Sequence, residues 1–156
     1  MRAGALALAV VVAVACGGRR AEPLPQVVFV CEKGSVKSVI AATHFAARAR
    51  ARGVAIEVHA RAVTPVAELA PVTLAGLAAD GLTPIEAAPV RATAAELQRA
   101  TRVIAFQPLD GELAASARAL EIWNVPPVSD GYDAARTEMV RRADRLLDDL
   151  IRDDGR

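Results

Sequence analysis

Val27-Val28-Phe29-Val30-Cys31-Glu32-Lys33-Gly34-Ser35-Val36-Lys37-Ser38 passes from a block of apolar residues into a short polar stretch with glycine near its centre. The four residues before the cysteine are β-branched or aromatic, too few for a helix and suited to a strand buried on both faces. They predict the central strand of a parallel sheet. Beyond Ser38, the apolar residues Val39, Ile40, Ala42, Phe45, Ala46 and Ala49 recur at helical spacing until Gly53, so residues 36–52 predict a helix. Residues 54–62 then alternate, Val54, Ile56 and Val58 against Ala55, Glu57 and His59, as a strand with one wetter face does. Strand, helix, strand implies a right-handed parallel unit. In an open parallel sheet, ligands bind beyond the carboxyl ends of the strands, where Cys31 falls.

A loop that turns straight into a helix can aim its backbone N–H groups and the helix N-terminus at one anion. The candidate oxyanion loop comprises Glu32, Lys33, Gly34, Ser35, Val36 and Lys37. The same field favours the thiolate of Cys31, a nucleophile rather than an inert core thiol. Gly34 can supply a positive φ without strain. Lys37 places a cation on the first helical turn, against the helix dipole, which argues for an anionic partner. Glu32 and Lys33 are expected to face solvent, with Lys33 helping to attract the anion.

Pro71 and Gly81 bracket a short helix over residues 71–79, and Thr93 with Glu96 three residues later forms the pattern of a capping box. Residues 101–106 and 120–123 predict two more strands. Residues 132–151 predict a closing amphipathic helix with Met139, Val140, Leu146, Leu147, Leu150 and Ile151 inward. The sum is an α/β fold, a small doubly wound four-stranded parallel sheet with helices on both faces. Trp123 reads as a core residue near the site. Tyr132 either lines the rim or begins the last helix, capped by Asp130. His44 and His59 have no Cys, Asp or Glu at metal-ligand spacing, so neither metal nor other cofactor is predicted.

With 156 residues, 53% apolar and 24% charged, the chain is sized for one globular core. Its net charge of +1 supplies no field that would draw nucleic acid, so anion binding has to be local. Residues 1–15 stand apart: Arg2 is followed by an apolar run from Ala3 to Ala15, an export signal shorter than the roughly 20 residues of a membrane span. The run closes on Val14-Ala15-Cys16-Gly17, which resembles the lipobox of bacterial lipoproteins. The expectation is a mature chain starting at Cys16, lipid-anchored there to the membrane and facing the periplasm or cell exterior. Ordinary cleavage and an uncleaved anchor are the alternatives. Residues 16–25 then form a tether and residues 26–152 the α/β domain. With Cys16 taken by lipid, Cys31 is the only remaining thiol and a disulfide framework is excluded.

The loop resembles the signature of the low-molecular-weight protein tyrosine phosphatase family, which includes the arsenate reductases of that fold. That signature is an apolar strand, Cys, five residues, Arg, Ser or Thr, then a helix; here residues 27–30, Cys31, Lys37, Ser38 and the following helix fill those places. In element order the resemblance runs from about residue 26 to residue 150. It implies that Cys31 attacks phosphorus and carries the phosphoryl group as phosphocysteine, while Ser38 hydrogen-bonds the thiolate and helps it leave. The implied partner is a phosphorylated or oxyanion substrate. Three departures qualify the implication. Lys37 replaces an Arg that would grip two oxygens at once. Gly34 stands where many members have an Asn that braces the loop. Pro126 stands where the family's general-acid Asp precedes a Pro, leaving Asp130, with Asp133 beyond it, as the candidate acid. Phosphomonoester hydrolysis is the first expectation. A degenerate member that binds phosphate, arsenate or a phosphoprotein without turnover is the second. Arsenate reduction through an external small thiol is the third, since the absence of cysteine after Cys31 closes the thioredoxin-coupled route.

Overall fold

The computed structural model describes residues 23–155. Along them run β1 (Gln26–Cys31), α1 (Lys37–Ala51), β2 (Glu57–Ala62), α2 (Pro71–Ala79), α3 (Ala94–Arg99), β3 (Arg102–Ala105), α4 (Gly111–Ser116), β4 (Leu120–Ile122), a 3-10 turn (Val128–Asp130) and α5 (Tyr132–Asp154). The strands form one parallel sheet in the order β2-β1-β3-β4. Val27, Val28, Phe29 and Val30 have no exposed surface. Their unbroken apolar run is what a parallel strand covered on both faces requires. Val27, Phe29 and Ile104 pack with α1 and α5 on one side, whereas Val28, Val30 and Val103 pack with residues of α3 and the flank of α4 on the other. From β1 the chain passes to β2 on one side and then crosses back to β3 on the other, so the switch point of the sheet lies at the carboxyl end of β1, at Cys31.

Aromatic rings fill the core beneath that point. Phe29 lies 5.5 Å from Phe45 and 5.7 Å from Trp123, and Phe106 meets Trp123 edge-on at 6.2 Å. Tilted and edge-on contacts suit the ring quadrupoles.

The elements match the expected order, with local differences. On α5 the buried stripe is Ala135, Met139, Ala143, Leu146, Leu147 and Leu150; Ile151 is 39% exposed and Val140 half-buried, because a residue one step past the stripe turns about 100° off it. Strand β2 starts only at Glu57, and Val54 and Ile56 pack against the core ahead of it. The capping box at α3 is half formed. Thr93 Oγ1 accepts the Glu96 N–H at 3.3 Å, but the Glu96 carboxylate turns to Arg61, whose Nε lies 2.9 Å from both its oxygens. Arg61 also donates to Glu86 at 2.6 Å, so each charge in this largely buried group is paired, as burial demands. Helix α4 was not foreseen; it is six residues long and buries none of them, so it leaves no periodic trace. Residues 1–15, Cys16 and most of the tether lie outside the described residues.

Candidate active site

Cys31 closes β1 with 8% of its surface exposed, and its Sγ lies 3.1 Å from the Oγ of Ser38, a hydrogen bond in which either atom can donate. Ser38 is fully buried in the first turn of α1. Between them, Gly34 adopts φ +70°, and a Cβ there would come within 2.6 Å of the Ala62 Cβ.

The loop is braced from outside by residues 63–73. Cys31 O accepts from Val63 N at 3.1 Å, Glu32 O from Thr64 N at 2.8 Å, and Lys33 O from Val66 N at 3.3 Å. Ser35 O accepts twice, from Ala70 N at 3.1 Å and from Thr73 Oγ1 at 2.8 Å. In a planar trans peptide the C=O and the following N–H point opposite ways. Holding these four carbonyls toward residues 63–73 therefore turns the N–H groups of Glu32, Lys33, Gly34 and Val36 away from that segment. Among the described residues, no N–H of residues 32–36 donates to a protein acceptor. Helix α1 begins beside them at Val36, which offers no side-chain cap, so its first-turn N–H groups are also open. Free amides and a helix N-terminus on one loop favour an anion. This segment braces the loop, which carries Gly34 where the resembled signature has Asn.

Lys37 extends across the loop, its half-buried Nζ donating to Val125 O at 3.5 Å. Glu32 and Lys33 pair weakly at 3.9 Å with half or more of each side chain in solvent, as expected of surface charges. Ser35 and Val36 are half-buried. Asp130 is exposed in the 3-10 turn and accepts from Ser129 Oγ at 3.2 Å. Asp133 pairs with Arg136 at 3.2 Å. Among the described residues, no carboxylate forms a hydrogen bond or ion pair with Cys31, Ser38 or Lys37. Nor does Asp130 cap α5: the N-cap is Gly131, and no side chain bonds the free N–H groups.

Two features escaped sequence reasoning because they join distant segments. Gln107 follows Phe106, whose N–H donates to Val30 O at 3.0 Å beside the start of the loop; the Gln107 Nε2 is buried with no protein acceptor. The second is a cluster between α1, α2 and α5. Asp80 receives the Arg136 guanidinium at 2.7 Å and the Tyr132 hydroxyl at 3.4 Å, and lies 3.2 Å from His44 Nε2, which is not aligned for a hydrogen bond. The Tyr132 ring covers Gly76, where a Cβ would sit only 2.1 Å from its Cζ, so this ring is packed inward. Burial, with Asp80 next, pushes the Tyr132 phenol up to about 12 and keeps it a donor.

Burial also lowers the His44 pKa below the ordinary 6.5, against the opposing pull of Asp80, and Arg136 and Arg48 add to the lowering. The unfolded chain thus binds a proton that the folded one resists. This contribution to stability is complete above the ordinary value and is lost as pH falls below it. The expected result is a lower Tm at pH 5 than at pH 7.5, with the gap narrowed in His44→Gln. An equal gap in both proteins would show that His44 is not responsible.

A cleft of about 1190 Å³ lies at the other end of the sheet near Pro25, Glu57, Arg99 and Leu150, away from the thiol. At the level of sequence, no protein-family model and no curated protein matches the chain. Solved structures resemble it. The YwlE arginine phosphatase, as a mutant with serine in place of a cysteine and a phosphorylated active-site serine, shares 16% identity over 82% of this chain and 97% of its own, with a TM-score of 0.72. The tyrosine phosphatase Wzb from Escherichia coli, in complex with sulphate, shares 9% identity over 82% of this chain and 99% of its own, with a TM-score of 0.65. A thioredoxin-dependent arsenate reductase from Corynebacterium glutamicum shares 22% identity over 83% of this chain and 62% of its own, with a TM-score of 0.63. The chain has the α/β fold common to these phosphatases and arsenate reductases, as its element order led us to expect.

Proposed function

We propose that residues 31–38 form the catalytic loop of a phosphomonoester hydrolase in which Cys31 is the nucleophile. The observation that carries this reading is the Cys31 Sγ, 3.1 Å from Ser38 Oγ, in a loop whose amides find no acceptor among the described residues. The likeness in fold to an arginine phosphatase and a tyrosine phosphatase supports it. The thiolate attacks phosphorus, an S–P bond forms as the P–O bond to the leaving oxygen breaks, and that oxygen departs as the alcohol after taking a proton. Water then attacks the phosphocysteine, orthophosphate leaves, and Sγ returns as thiolate with the Ser38 hydroxyl donating to it. Loop amides and the Lys37 charge hold the equatorial oxygens as negative charge redistributes. Asp130, exposed in the 3-10 turn, is the candidate to protonate the leaving oxygen.

A binding-only role is the second reading, favoured by the engagement of Lys37 with Val125 O and by the lack, among the described residues, of a carboxylate bonded to Cys31, Ser38 or Lys37. The test is to mix the purified domain with an aryl phosphate, quench in acid, and look by mass spectrometry for a phosphoryl adduct on the Cys31 peptide. Orthophosphate protection of Cys31 from iodoacetate is measured alongside. Turnover with the adduct is the expected result. Protection without turnover, persisting in Lys37→Arg, would support the binding role, and arsenite formed from arsenate only with a low-molecular-weight thiol would support reduction. Neither adduct nor protection would remove all three.

A further inference from the structure

We propose that Thr73 is a positioning residue that holds the oxyanion loop in its open-amide conformation; its effect on ligand affinity rests on reading residues 31–38 as an oxyanion site. Thr73 is fully buried in the first turn of α2, and its hydroxyl donates to Ser35 O at 2.8 Å. Of the five hydrogen bonds that hold the four loop carbonyls, this is the one made by a side chain, and it shares Ser35 O with the Ala70 N–H. It also stands where conformational freedom is greatest, one residue after Gly34. The peptide it grips joins Ser35 to Val36, so gripping it orients the Val36 N–H and sets the backbone from which α1 starts.

The anchor itself is stiff. Pro71 opens α2 with φ already restrained, and Thr73 N donates to Ala70 O at 2.9 Å. Thr73 has no polar duty toward its own helix: the N-cap is Ala70, and α2 has no side-chain cap. A buried hydroxyl must find a partner, and this one has found it in the loop.

Two substitutions separate the hydroxyl from the packing. Thr73→Val keeps the shape and removes the donor, whereas Thr73→Ser keeps the donor. In the unliganded protein, NMR order parameters of the amides of residues 33–36 are expected to fall in Thr73→Val and to stay at native values in Thr73→Ser. The orthophosphate Kd, read from protection of Cys31 against iodoacetate, is expected to rise about tenfold in Thr73→Val and less than twofold in Thr73→Ser. Native order parameters in Thr73→Val, or equal losses in both variants, would overturn the proposal. If the order parameters separate as expected but the native chain itself binds no orthophosphate, the brace stands and the oxyanion reading falls.

Discussion

Replacing Cys31 with serine is expected to take hydrolysis of an aryl phosphate down to the rate in buffer, a loss of roughly a thousandfold or more. A serine hydroxyl is a poor nucleophile without a base to take its proton, and the loop supplies none: the nearest bonded group is the Ser38 hydroxyl, and no carboxylate among the described residues bonds there. The N–H groups that receive an oxyanion belong to the backbone and survive the substitution, so orthophosphate affinity is expected to change only a few-fold, as isothermal titration would read. The two numbers together are informative. Turnover that persists in Cys31→Ser would end the proposal of a cysteine nucleophile, while loss of both turnover and binding would mean that the thiol shapes the loop as well as reacting.

Gly34→Ala is expected to have the largest effect on stability. At φ +70° a side chain costs about 1–2 kcal/mol through its contact with the following carbonyl. Here the added Cβ also lands 2.6 Å from the Ala62 Cβ and 3.2 Å from that of Pro89. Ala62 cannot yield easily, because it is paired with Cys31 on one side and bridged to Arg91 on the other. Overpacking of that kind adds about 1–3 kcal/mol, for a total of about 2–5 kcal/mol. Gly53→Ala is the control. Gly53 has φ +69° but nothing within 4 Å of an added Cβ, so it carries the conformational cost alone. Urea denaturation of the two variants should give a difference of about 1–3 kcal/mol, and orthophosphate binding should fail only in Gly34→Ala. Equal losses in both would show that the fit of the loop against Ala62 and Pro89 carries no weight.

The residues 27–38 by themselves dictated most of the architecture. Four consecutive apolar residues can only be hidden if helices cover both faces of the sheet, and the abrupt change to glycine, serines and lysines marks where the strand meets solvent. These are properties of neighbours in sequence, acting over one or two turns, and they placed the thiol at the switch point of a parallel sheet and Ser38 in the first turn of the helix that follows the loop. Periodicity likewise gave the long helices, whose stripes of apolar side chains repeat several times. It could not give α4, which buries nothing, nor keep Ile151 inside.

What the tertiary structure alone decided is how the loop is held and what meets it. The carbonyls of Cys31, Glu32, Lys33 and Ser35 are claimed by residues 63–73, Lys37 is drawn to Val125 O, and Asp130 is left in solvent. The same holds for Asp80 beside His44 and for Glu96, whose carboxylate leaves its own helix cap for Arg61. Each of these bonds joins groups that lie far apart along the chain. A hydrogen bond or ion pair depends on angstroms and angles between groups, and no periodicity in the sequence encodes the separation of two segments that meet only after the sheet has formed.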